Sequence, residues 1–149
     1  MKPFYLTFLL VFVSNIMLSQ QNDNSAFFET FNAFFEDNIS RQGIKGDWIF
    51  ELNEITGMHK FDFNNDKELD VLVEFTASPV ESGGTIYFYT VLFEKIMNQD
   101  YRMLGYFNSK NLQFSSYFES EFRFVKEANS KNSYTVAYQL INEEFIQIK

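Results

Sequence analysis

From residue 47 onward, the apolar side chains of this chain tend to recur at every second position rather than every third or fourth. An extended backbone sends successive side chains to opposite faces, so this period commits most of the chain to β-sheet. Asp47 to Asn53 sets Trp48, Phe50 and Leu52 against Asp47, Glu51 and Asn53. Met58 to Phe63, Leu69 to Ala77, Tyr101 to Phe107, Tyr117 to Lys126 and Tyr134 to Ile141 read as further strands. Thr85 to Ile96 is apolar on both faces, Ile86, Phe88 and Leu92 against Tyr87, Tyr89, Val91 and Phe93, which predicts a central strand. Turn-forming clusters at 78–84, 98–100, 109–111 and 129–133 separate these runs.

The period differs only near the start. Between Ser25 and Arg41 the apolar positions are Phe27, Phe28, Phe31, Phe34, Phe35 and Ile39, one face of an amphipathic helix. Asn24 or Ser25 can cap its start, and Gly43 and Gly46 lie beyond its end. Burying that stripe, at roughly 1.5–3 kcal/mol per large side chain, gives on the order of 10 kcal/mol before entropy is charged. The expected fold is therefore α+β, an N-terminal amphipathic helix packed on a curled antiparallel meander of about six or seven strands. With 20 Phe and 8 Tyr, the chain is far too apolar to remain disordered.

Residues 1–20 have the plan of a signal peptide: Lys2, then an apolar run from Phe4 to Val13, then Ser14, Asn15, Ser19 and Gln20. The run is shorter than the roughly 20 apolar residues of a membrane span. Residues 21–149 are then expected to form a single domain, secreted or periplasmic and free of the membrane after cleavage. The chain has no cysteine, so no disulfide or thiol-linked lipid accompanies export. A net charge of −8 opposes binding to nucleic acid or anionic lipid, both of which need a dense cationic surface. A cation or a basic protein is more compatible.

The most chemically loaded stretch is HKFDFNNDKELDVLVEF, residues 59–75. It spaces Asp62, Asn64, Asp66 and Asp70 by two, two and four residues between two strand-like runs. A solvated Asn/Asp turn would account for it. So would a metal loop, because alternate side chains converge once the segment curls, and calcium favours six to eight hard oxygens at about 2.3–2.6 Å. Crowded without a cation, the aspartates would repel one another and raise their own pKa values.

The run D-F-N-N-D-K-E-L-D-V-L-V resembles the calcium loop of integrin-type FG-GAP and VCBS repeats, D-x-[DN]-x-[DN]-G-x-x-D followed by an apolar strand. The resemblance covers this loop alone and occurs once, so it carries no propeller architecture. It implies a Ca2+ site with Asp62, Asn64, Asp66 and Asp70 binding through side chains and Glu68 through its carbonyl. Lys67 stands where the motif has glycine, and a left-handed conformation there costs roughly 1–2 kcal/mol. Affinity should then be millimolar to high micromolar.

No constellation names a reaction, and no enzymatic activity is expected. His59 is the only histidine, which leaves a zinc site short of its usual ligands. Glu119 with Glu121, and Glu143 with Glu144, read as solvated strand carboxylates. Gly83-Gly84 lacks the lysine and following helix of a phosphate loop. Tyr87, Tyr89 and Phe93, with Tyr101 and Tyr106, could offer an aromatic platform to a glycan or peptide, although cover by the helix or a second layer is the favoured account. The expected role is a small, exported, calcium-stabilised binding module for a protein or glycan ligand. The alternative is an acidic inhibitor or immunity-like protein that blocks a basic enzyme.

Overall fold

The computed structural model describes residues 24–42, 48–81, 84–96, 100–127 and 131–148. The expected signal peptide, the helix-stopping Gly43 and Gly46, and Asp47 lie outside these residues. Helix α1 covers 24–38, and nine strands follow: β1 Arg41–Gln42, β2 Trp48–Phe61, β3 Asp70–Pro79, β4 Tyr87–Ile96, β5 Asp100–Asn108, β6 Leu112–Phe118, β7 Glu121–Lys126, β8 Tyr134–Ile141 and β9 Glu144–Gln147. All pairings are antiparallel. They form two sheets, β1-β2-β3-β4-β5 and β6-β7-β8-β9, where a single meander was expected. The described fold is thus one helix and two antiparallel sheets, mostly strand, and not a helix on one sheet.

The central strands explain this layering. Val71, Val73, Phe75 and Ala77 of β3, with Tyr89, Val91 and Phe93 of β4, point to one face and bury against Phe27, Phe31, Phe34 and Phe35 of α1 and Ile39 just beyond it. Leu72 of β3 and Leu92 of β4 point to the other face and bury against Phe122, Phe124 and Val136 of the second sheet. A strand clad on both sides reads as a continuous apolar run. The aromatic rings of α1 meet the sheet edge-on: Phe31 lies 5.4 Å from Phe75 and Phe27 5.6 Å from Phe93, at near-perpendicular angles. Helix and first sheet share one core, which buries Tyr89, Phe93 and Tyr101 of the candidate aromatic platform and half-buries Tyr87, whereas Tyr106 is exposed.

Four local expectations change. The helix ends at 38 rather than Arg41: the Ile39 and Ser40 amides both donate to the Phe35 carbonyl, and Arg41 and Gln42 pair with Ile49 and Trp48. The two strands expected over 47–53 and 58–63 are the single strand β2, because bulges between Leu52 and Glu54 and between Ile55 and Gly57 absorb the break in alternation. The expected strand Tyr117 to Lys126 folds back on itself at Glu119-Ser120, joining β6 to β7. β9 was not expected, and it follows a turn at Asn142-Glu143. Both turns are two-residue connections with both central residues at positive φ, 50° and 64° in the first and 51° and 66° in the second. Such primed turns match the strand twist but usually announce themselves with glycine, which neither contains.

Candidate functional site

The acidic loop joins β2 to β3, and its conformation follows from its own side chains. Asn65 and Lys67 are left-handed, with φ of 63° and 75°. Asparagine tolerates this region; lysine pays for it with roughly 1–2 kcal/mol. The bend turns three side chains inward onto the loop's amides. Asp62 Oδ1 accepts from the Asp66 amide at 3.1 Å, and Asp62 Oδ2 accepts from the Lys67 amide at 2.9 Å. Asn64 Oδ1 also accepts from the Asp66 amide, and Asp66 Oδ1 accepts from the Glu68 amide at 2.8 Å. Each of these oxygens keeps further acceptor capacity.

Asp70 is set apart from these three. It is fully buried at the head of β3, and its two oxygens accept the amides of Phe63 (3.0 Å) and Lys95 (2.9 Å). One carboxylate thereby ties the loop and the end of β4 to β3. Burial pushes its pKa above 3.8, the two amides oppose that shift, and the charges of Asp66 and Glu94 reinforce it. Glu68 directs its carboxylate to the Lys95 ammonium at 3.5 Å.

Glu94 of β4 was not among the candidate residues, yet it borders the loop. The Asn64 amide nitrogen donates to Asp66 Oδ2 at 2.9 Å and to Glu94 Oε1 at 3.0 Å, and Glu94 Oε2 pairs with Arg102 at 2.6 Å. No local spacing could reveal this. Only the β3–β4 register, with Val71 opposite Phe93, brings the end of β4 beside Asp70. Tyr117 of the second sheet reaches the same region, donating its hydroxyl to the Phe63 carbonyl at 2.8 Å.

In donor chemistry the loop suits a hard cation, offering carboxylate and amide oxygens and no nitrogen or sulfur ligand. Among the described residues, no group of three or more His, Asp or Glu side chains stands gathered for a metal ion. The convergence rests on two aspartates and one asparagine.

A second polar cluster lies between the sheets. Glu74, nearly buried in β3, bonds His59 Nε2 at 2.9 Å through Oε2 and accepts the Phe114 amide at 2.7 Å through Oε1. The His59 ring lies 4.7 Å from that of Phe114. Thr90, cross-strand from Glu74, buries its hydroxyl without a partner among the described residues. His59 was expected to be an ordinary strand residue beside the acidic hairpin, and Glu74 was not singled out. A glutamate inside the otherwise apolar run DVLVEF was the available signal, since a buried carboxylate must find donors.

The chain matches no family model, no curated protein and no solved structure.

Proposed function

We propose that this protein is a small, exported, non-enzymatic binding module whose 62–70 loop takes one calcium ion. Asp62, Asn64, Asp66 and the Glu68 carbonyl would face the ion, with Asp70 beneath them as the loop's anchor. The observation that carries this reading is the inward turn of Asp62, Asn64 and Asp66 around a backbone held left-handed at Lys67. A divalent cation would also relieve the repulsion that Asp66 and Glu94 impose on buried Asp70.

Binding at millimolar calcium would add about 1–2 kcal/mol of stability by mass action. Asp66→Ala should therefore lower Tm by a few degrees in calcium and leave it nearly unchanged in chelator, read by thermal denaturation of wild type and variant in both buffers. Equal shifts in the two buffers would show that Asp66 only shapes the turn.

A further inference from the structure

Among the described residues, the end of the first sheet remote from the acidic loop exposes a group of apolar side chains. Beyond Thr76, the face of β3 that carries Leu72 and Glu74 leaves the shelter of the second sheet. Ile49, Val80, Ile86 and Phe88 cluster there with relative exposures of 59%, 55%, 52% and 37%. Register brings them together: Phe88 lies opposite Thr76, and the Val80 amide donates to the Ile49 carbonyl at 2.9 Å. Single exposed aliphatics are ordinary on a protein surface, but a contiguous group with polar borders marks an interaction site.

The border is predominantly acidic. Glu51 and Glu54, on β2, lie opposite Ser78 and Thr76, and Glu81 follows Val80. All three are exposed and have no ion-pair partner among the described residues. Against them stand Arg41, opposite Ile49, and Lys110, beside the Ser109 amide that bonds the Phe88 carbonyl. The local excess is negative and agrees in sign with the net charge of −8. A second copy or an anionic membrane would be repelled by that charge.

We infer that this face, centred on Val80 and Phe88, docks a cationic, apolar segment of a partner protein, whose apolar side chains cover the cluster while its lysines or arginines meet Glu51, Glu54 and Glu81. The inference rests on the binding-module reading and supplies the partner's chemistry. It is independent of the calcium site, because β3 at roughly 3.3 Å per residue puts about 30 Å between the two ends of the sheet.

The full-length protein, in calcium and separately in chelator, is titrated into a dansyl-labelled alternating lysine–valine octapeptide while dansyl emission is followed. The expected result is a saturable blue shift, alike in both buffers, that weakens with salt. Val80→Asp, and separately Glu51→Lys combined with Glu54→Lys, should each weaken binding at least tenfold with Tm unchanged, since all these positions are exposed. Absence of the shift, an equal shift with a glutamate–valine octapeptide, or unchanged affinity in either variant overturns the proposal. Co-sedimentation with phosphatidylcholine vesicles, without a peptide shift, overturns it in favour of a lipid surface. Concentration-dependent dimerisation abolished by Val80→Asp, without peptide binding, overturns it in favour of a second copy. Loss of calcium binding with retained peptide binding would remove the metal reading alone.

Discussion

At the scale of single residues, burial decides how polar groups behave. The Tyr89 phenol sits in the helix–sheet core and is bonded to the Gln42 amide at 3.1 Å. Burial raises its pKa above 10.0, and the Gln42 bond opposes the shift only in part. The unfolded chain therefore gives up this proton before the folded one does, so stability falls as pH rises past 10.0 and stops falling once the folded phenol has also ionised. Tyr89→Phe should cost about 0.5–1.5 kcal/mol at neutral pH through the lost hydrogen bond. It should also flatten the alkaline decline, which urea midpoints measured across that range would reveal. An unchanged alkaline slope would place the titration elsewhere. Single residues were unevenly legible. The spacing of Asp62, Asn64 and Asp66 drew attention to the loop, in which Lys67 is left-handed. Glu94 was not legible as a site residue because its loop partner Asn64 stands 30 residues away, and Glu74 showed only as a carboxylate inside an apolar run, its partner Phe114 lying on β6.

At the scale of elements, two glycines stand where an added side chain would collide with its neighbours. A Cβ at Gly105 of β5 would lie 2.6 Å from the Glu143 carbonyl oxygen and 2.9 Å from Leu140, so the β8–β9 turn rests directly on β5. A Cβ at Gly57 would meet Glu74 Oε2 at 2.7 Å and His59 Nε2 at 2.9 Å, both ends of side chains. Backbone yields less readily than side chains, so Gly105→Ala should destabilise more than Gly57→Ala, by about 1–3 kcal/mol or more, in line with other overpacking. Chemical denaturation of the two variants checks the order, and a larger loss for Gly57→Ala would contradict it. Phe31→Ala, which removes a fully buried ring from α1, should cost roughly 3–5 kcal/mol by the same measurement. The helix was legible because its aromatic stripe has one period from end to end. The second sheet was not, since its hairpins turn on Glu119-Ser120 and Asn142-Glu143, residue pairs without glycine whose left-handed conformations are imposed by strand pairing.

At the scale of the molecule, β3 and β4 form the middle layer, held by α1 on one face and by the second sheet on the other. The run Thr85 to Ile96, apolar on both faces, predicted a central strand. Periodicity alone could not say that one cover would be a sheet made from the chain's own last strands. The same long strands separate the two candidate functional regions, the acidic loop at one end and the apolar, acid-rimmed face at the other. The loop carries the central claim, that its oxygens are gathered to hold a hard divalent ion. Isothermal titration of the protein with calcium tests it most directly. The account predicts saturable one-to-one binding in the millimolar to high-micromolar range, lost in Asp66→Ala, whereas no saturable heat, or equal heat from the variant, would contradict it.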